Sequence, residues 1–292
     1  MLSRRQLDDY HETGWLVVED MLDAAMLAET RAVIEAFVAN SAAVTHHTDV
    51  YDLEPGHRPD RPRVRRINNP HANHRLFADI CRMPKLVCVL RQLLGSSSIR
   101  LRGSKINLKD PEYGSPVEWH QDWAFSPLTN DNSLAVGVML DDCAMENGPL
   151  MVIPGTHKGP VFNHHHADGY FCGAIDPSAD LDFTQAVPLL AAAGSMSFHH
   201  IRLVHGSAQN TSDRPRRLML FEMQAADAWP LMGVKDFDAF NEMLICGEPN
   251  ITPRLADVPL RMPLPPSPRP GGIYEIQTTA ERRYFETSAV VG

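Results

Sequence analysis

The residues able to do chemistry sit at two separated places. Glu118-Trp119-His120-Gln121-Asp122 holds a His-x-Asp, and far downstream lies His205-Gly206-Ser207. On an extended strand, residues i and i+2 share a face. His120 and Asp122 are therefore expected to present an imidazole and a carboxylate side by side. A histidine from a distant strand, His205, completes a two-His-one-carboxylate set. Such a set holds one face of an Fe(II) ion and leaves three positions open for substrate chemistry. A His-x-Asp alone is common in surface loops, so its weight comes from what surrounds His205.

The run after His205 turns through Asn210 to Pro215 and enters a strand at Arg216. In such a hairpin Ser207 and Arg216 both approach the space beside His205. An arginine fork binds a carboxylate bidentately and a hydroxyl adds one more hydrogen bond. The pair suits the distal carboxylate of a 2-oxo diacid that also chelates the metal. Arg214 and Arg217 compete with Arg216 for this role. Upstream, alternation puts Lys105, Asn107 and Lys109 on one face of a strand, with Ile106 and Leu108 on the other. For the two lysines a solvated strand edge is the competing reading.

Elements must hold these groups. A helix is expected over 3–13, capped by Ser3 and stopped by Gly14, then a buried strand at 15–19 and a helix from Asp23 to about Val38. Residues 41–74 read mostly as loop. A further helix covers 75–94, broken in two by Pro84. Strands dominate afterwards, near 98–109, 116–122, 134–141, 149–153, 185–190, 194–205 and 216–224. Many short strands without interleaved helices favour a sandwich or barrel. The proline-dense stretch from Pro249 to Pro270 cannot supply central strands and reads as an extended arm over the surface.

Composition excludes several classes. A net charge of −9 argues against a general nucleic-acid binder. No apolar run approaches a membrane span, and the first residues lack the apolar core of a signal peptide. Five scattered cysteines, with no CxxC, suit reduced thiols in a cytoplasmic enzyme. A reducing compartment also suits ferrous iron. A chain of 292 residues suits one large domain: a helical buttress and loop over 1–95, a β core over 96–224, and a C-terminal extension over 225–292. A monomer or a homodimer is expected.

Taken together, these motifs resemble the phytanoyl-CoA dioxygenase-like family of Fe(II)/2-oxoglutarate oxygenases. In that family the distal histidine is followed by Ser two residues on and Arg eleven residues on, here His205, Ser207 and Arg216. The turns at Glu146-Asn147-Gly148-Pro149-Leu150 and Pro154-Gly155-Thr156-His157 are similar too. Ectoine hydroxylases of the family place a cosubstrate-binding asparagine thirteen residues before the first histidine, and Asn107 stands at that offset from His120. Lys109 and Lys105 fall on positive or polar positions of that stretch. The resemblance implies a mainly β fold: a double-stranded β-helix, the cupin-like jelly roll, with flanking N-terminal α-helices. It implies Fe(II), 2-oxoglutarate and O2 as the reacting partners, and hydroxylation of a C–H bond with succinate and carbon dioxide as co-products. Family halogenases carry a small residue in place of the carboxylate ligand, so Asp122 implies oxygen transfer. A desaturase, an isomerase or a non-catalytic metal-binding jelly roll are the rival outcomes.

Other residues have plainer readings. His164-His165-His166 and His46-His47 read as solvated loops, since three adjacent imidazoles cannot all face one ion. His200 matches a histidine found in the family and reads as supporting the ligands or as a core histidine. Trp119 reads as core, and Trp123 and Phe125 as walls of the substrate pocket. The substrate itself is expected to be a small molecule held by Lys105 against Leu218 and Leu220. Arg63, Arg65 and Arg66 form a basic cluster in the long loop. An anionic group with an apolar body fits these residues. It would be a small organic acid, or an acyl-CoA whose phosphates meet Arg66 and its neighbours outside the barrel.

Overall fold

The computed structural model describes residues 1–111 and 113–286. Ser3 opens α1 (Arg4–Thr13) through a reciprocal capping box with Gln6, and Gly14 closes it in the left-handed conformation. β1 (Trp15–Val18) follows. Asp23 then caps α2 (Ala24–Asn40) by accepting from the Met26 N–H at 2.8 Å.

The segment 41–74 departs from the expected loop. It carries β2 (Tyr51–Leu53) and β3 (Val64–Asn68). Two adjacent arginines disguised β3, because both are buried and met by partners: Arg66 by Asn107, Arg65 by Glu275. Three helices come next, α3 (Pro70–Asn73), α4 (Arg75–Cys81) and α5 (Pro84–Leu94). Pro84 opens α5 at its first turn, where its missing N–H leaves no bond unmade.

The remaining strands are β4 (Ile99–Lys109), β5 (Val117–His120), β6 (Ser133–Met139), β7 (Met151–Val152), β8 (Val187–Pro188), β9 (Met196–His200), β10 (His205–Ser207) and β11 (Arg216–Ala225). α6 (Phe237–Glu242), β12 (Leu244–Cys246) and α7 (Ile273–Gln277) complete the order. Two antiparallel sheets result. The large one runs β1-β9-β6-β11-β4-β3-β2, with β12 also on β4; the small one runs β5-β10-β7-β8. This is the double-stranded β-helix with flanking helices.

The expected strand 194–205 is two strands in different sheets. β9 ends at His200, the chain turns a corner through 201–204, and β10 starts at His205. Arg202 pins that corner by donating to Asp131 at 2.9 Å and to the Gly159 carbonyl. Consequently β10 and β11 do not form a hairpin: β10 pairs with β5 and β7, β11 with β4 and β6. Ser207 and Arg216 meet across the barrel instead.

The two faces of the large sheet differ in kind. Its outer face presents Ile67, Ile106, Phe221, Val136 and Phe198, which pack with the helices into the main core. Its inner face can be read as cross-strand rows from the register. One row is Arg66, Asn107, Leu218, Met139; the next is Asn68, Lys105, Leu220, Gly137, Ser197; the third is Gly103, Glu222, Ala135, His199. Inner rows thus mix cations, carboxylate and imidazole with aliphatic side chains, which is the composition of a site rather than a core. Phe221→Ala should cost about 3–5 kcal/mol in urea denaturation. Leu220→Ala, one residue along but bordering the cavity, should cost about 2 kcal/mol. Equal losses would contradict the division of faces.

Candidate active site

His120 and His205 are direct cross-strand partners on β5 and β10, with ring centroids 4.1 Å apart. Asp122 is not on the strand. The chain leaves β5 after His120, and Asp122 opens a 3₁₀ turn, Asp122–Ala124. The turn still brings the carboxylate to the imidazoles: Asp122 Oδ1 lies 3.8 Å from His120 Nε2, and Oδ2 3.9 Å from His205 Nε2. The three ligand atoms all lie within 4.8 Å of one another.

Both imidazoles are held in the tautomer a metal needs. His120 Nδ1 donates to the Glu118 carbonyl at 2.7 Å, and His205 Nδ1 to the Leu203 carbonyl at 2.9 Å. A carbonyl only accepts, so each Nδ1 carries the proton and each Nε2 keeps its lone pair. Burial lowers the pKa of His205 to about 4, and that of His120 well below the ordinary range. Burial alone would raise that of Asp122, but His205, His199, Lys105 and His120 around it outweigh this and hold it ionised. Two neutral imidazoles and one carboxylate, all buried, form a donor set that fits a divalent first-row metal.

Gln121, between two ligands, fixes the local backbone. Its N–H donates to His164 Nε2 at 3.0 Å, and its side chain donates to the Arg202 carbonyl at 2.7 Å and accepts from the Phe162 N–H at 2.9 Å. His164 Nδ1 in turn donates to the Phe162 carbonyl at 2.8 Å. His164 is therefore a buried support of the centre rather than part of a solvated loop. No sequence spacing signals this, because it is a contact between loops.

A second group of residues sits deeper in the barrel. Arg216 is buried, and its Nε and Nη2 donate to the Gly148 carbonyl at 3.0 and 2.7 Å. Its Nη1 is buried without a partner. Lys109 Nζ donates to Ser207 Oγ at 2.8 Å and to the Ala208 carbonyl. Burial, reinforced by Arg216, pushes the Lys109 pKa well down. Gly148 must be glycine: its φ is +69°, and a Cβ would lie 2.6 Å from the Ala208 carbonyl oxygen. Of the three neighbouring arginines only Arg216 reaches this space. Arg217 faces outward to Asp141 at 2.7 Å, and Arg214 pairs with exposed Glu146.

The cavity joining these groups is small, about 40 Å³. Arg66, Lys105, Asn107, Leu218 and Leu220 line it, together with the ligands, Ser207 and Arg216. Lys105 Nζ pairs with Glu222 at 2.9 Å. Arg66 lies inside the barrel, donating to Asn107 Oδ1 at 3.0 Å, rather than outside it on a loop. Trp123 does not wall the cavity. The turn at Asp122 sends it into a cluster with Leu128 and Ile201, where Nε1 donates to the Pro259 carbonyl at 2.9 Å. Phe125 sets its ring edge against His120, 5.7 Å between centroids. Trp119 packs away from the site against Phe183 and Phe285.

Two features lie outside the expectations. His199, not His200, lines the cavity; His200 faces away and packs on His157. The segment that follows the proline-dense arm also reaches the site. Ile273 of α7 lines the cavity, Tyr274 lies under Arg65 and Arg66, and Gln277 Oε1 accepts the Glu118 N–H at 3.0 Å.

A double-stranded β-helix with a buried two-His-one-carboxylate centre defines the class: a non-haem Fe(II)/2-oxoglutarate-dependent dioxygenase. The family model described as Phytanoyl-CoA dioxygenase (PhyH) matches residues 10–218, and the chain belongs to that family. A probable alpha-ketoglutarate-dependent hypophosphite dioxygenase of Stutzerimonas stutzeri is 35% identical over 284 residues, covering 96% of this chain and 99% of its own. The ectoine dioxygenase of Bordetella bronchiseptica is 29% identical, covering 74% of this chain and 73% of its own. The crystal structure of EctD from S. alaskensis with bound Fe superposes with a TM-score of 0.65 at 27% identity, covering 77% of each chain. Among the described residues no helix is long and apolar enough to cross a membrane.

The buried His164 makes a pH prediction. Burial lowers its pKa to about 4, against about 6.5 in an unfolded chain. The unfolded chain takes the proton first, so stability falls as pH drops from about 6.5 to about 4. In chelator-treated protein His164→Gln should flatten that fall by ~2–3 kcal/mol, read as melting temperature at several pH values. A slope unchanged in His164→Gln would refute the assignment.

Proposed function

We propose that this enzyme hydroxylates a small oxyanion, hypophosphite being the candidate, at the expense of O2 and 2-oxoglutarate. The observation that carries the reading is a cavity of about 40 Å³ bordered by Arg66, Lys105 and Arg216, in a chain aligned nearly end to end with a hypophosphite dioxygenase. His120, Asp122 and His205 would hold the iron. When bound, the iron supplies dioxygen activation and the oxidative decarboxylation of the 2-oxo acid. One oxygen atom enters succinate, with loss of carbon dioxide, and the other enters the substrate. For hypophosphite a P–H bond becomes P–OH, phosphorus is oxidised by two electrons and phosphite forms.

This chain's own residues bind, orient and exclude water. Arg216 would take the distal carboxylate of 2-oxoglutarate, with its unpartnered Nη1 and with Ser207 beside it. Lys109 and Asn107 support that end, Lys109 through the Ser207 hydroxyl and Asn107 through Arg66. An incoming carboxylate would satisfy the buried guanidinium, which no carboxylate contacts among the described residues. Lys105 and the aliphatic wall of Leu218 and Leu220 fall to the substrate side.

A small organic acid hydroxylated at C–H is the second reading, favoured by the apolar Leu218–Leu220 wall. An acyl-CoA fits poorly. Arg65 and Arg66 are engaged by Glu275, Asn107 and the Tyr274 ring, leaving neither for a distant phosphate.

Arg216→Lys should raise KM for 2-oxoglutarate about tenfold or more, because an ammonium cannot reproduce the fork; an unchanged KM would remove Arg216 from this role. Substrate choice is read from succinate formation with hypophosphite, small carboxylic acids and acyl-CoA thioesters. Stimulation by hypophosphite, with phosphite appearing one for one with succinate, is the expected result. Stimulation by a carboxylic acid alone would give the second reading.

A further inference from the structure

His199 is buried, 1% exposed, and points into the cavity from β9. Among the described residues neither of its ring nitrogens has a hydrogen-bond partner. The contrast with its neighbours is sharp, since His120, His205 and His164 each place Nδ1 on a backbone carbonyl. A histidine kept for packing would be tied in the same way, because an unsatisfied buried polar group costs about 1–3 kcal/mol. His199 is not one of the metal ligands either: the set that converges on a point is His120, Asp122 and His205. Its ring stands beside that set, 4.5 Å from the His205 ring between centroids, with Nε2 3.6 Å from Asp122 Oδ2, beyond hydrogen-bonding distance.

The surroundings fix what would satisfy it. In its cross-strand row the neighbours are Ala135, small enough to leave space, and then Glu222. Glu222 is fully engaged, by Lys105 at 2.9 Å and Arg102 at 3.1 Å. The trio carries a net positive charge. Lys105 has three donors and shows one bond, to Glu222. Between Lys105 and the metal centre there is thus a seat with a cation on one side, an imidazole lacking a hydrogen-bond partner on another, and little volume. That seat matches an oxyanion of a few heavy atoms.

We propose that His199 is the specificity-determining residue of this enzyme: it hydrogen-bonds an oxygen of a small oxyanion substrate that Lys105 attracts and that lies against the His120–Asp122–His205 centre. The assignment rests on the reading that the substrate is such an anion. A positioning role, in which His199 only orients Asp122, makes a different prediction and is tested alongside.

The experiment is calorimetric titration of hypophosphite, and of formate as a second probe, into protein loaded with Zn(II) and 2-oxoglutarate, which binds without turning over. Wild type, His199→Phe and His199→Gln are compared, each first checked for a cooperative thermal melt. His199→Phe should weaken hypophosphite binding about 10- to 100-fold, the loss of one hydrogen bond to a charged group. His199→Gln, which retains a side-chain donor and acceptor, should recover part of it, and Zn(II) affinity should change less than about twofold in both. Unchanged hypophosphite binding in His199→Phe overturns the proposal. A parallel fall in Zn(II) affinity also overturns it and leaves His199 as a positioner of Asp122. If the wild type binds formate but neither binds nor oxidises hypophosphite, the hypophosphite reading fails, and the same comparison made with formate decides the role of His199. If the wild type binds neither anion, both fall.

Discussion

The structure depends on keeping two imidazole lone pairs free in a buried place. Buried histidines are ordinarily satisfied at both nitrogens or not buried at all. Here His120 and His205 each give Nδ1–H to a carbonyl two residues earlier, Glu118 and Leu203. The bond is local, so each strand orients its own ligand. What the strands cannot do alone is hold the two rings against each other. That requires β5 and β10 in register, the corner at 201–204 pinned by Arg202, and Gln121 anchored to His164, Phe162 and the Arg202 carbonyl. Loops that seem remote from the chemistry are therefore supports of the ligands.

The second constraint is charge. The deep end of the barrel buries Arg216 and Lys109 with carbonyl and hydroxyl partners rather than a carboxylate contact. Burying cations this way is unfavourable unless an anion arrives, a requirement that the proposed binding of 2-oxoglutarate there would meet. Farther along β11 the balance differs, with Glu222 between two cations and Asp122 between imidazoles. On the proposed reading the barrel separates two anion-binding regions along the inner face of one sheet. Leu218 lies in the row of Asn107 and Leu220 in the row of Lys105, so aliphatic side chains sit beside both.

Much of this was legible in the sequence, and the failures have physical causes. Helix caps, the proline break at Pro84 and the spacing from His205 to Ser207 and Arg216 are local signals, and local signals survive without tertiary information. Asp122 does come beside His120 and His205, but from a 3₁₀ turn and not from the strand face that alternation predicts. β3 was hidden because Arg65 and Arg66 look solvated until their buried partners, Glu275 from the far C-terminus and Asn107, are known. His199 could have been found. Alternation back from His205 falls on His199 rather than His200, and the two do share the cavity although a corner interrupts the strand. The pairing of His164 with Gln121 left no trace, since nothing in a one-dimensional pattern records a contact between two loops.

The C-terminal segment shows how a weak structural element can matter to a site. α7 is five residues long and would not persist alone. It is held by two residues of the active-site strands, Arg65 through its side chain and Glu118 through its backbone. Arg65 of β3 pairs with Glu275, and Gln277 bonds the backbone of Glu118 on the strand that carries His120. The Glu118 carboxylate then accepts the N–H groups of Tyr284 and Phe285 at 2.9 and 3.3 Å. Just ahead of these fastenings Ile273 lines the cavity, and the Tyr274 ring spreads under Arg65 and Arg66, its hydroxyl buried without a partner among the described residues. Glu118 thus joins the cover to the metal centre, because the same residue orients His120 through its carbonyl. A tail fastened in this way makes the small volume of the cavity a property of the whole chain rather than of the barrel alone.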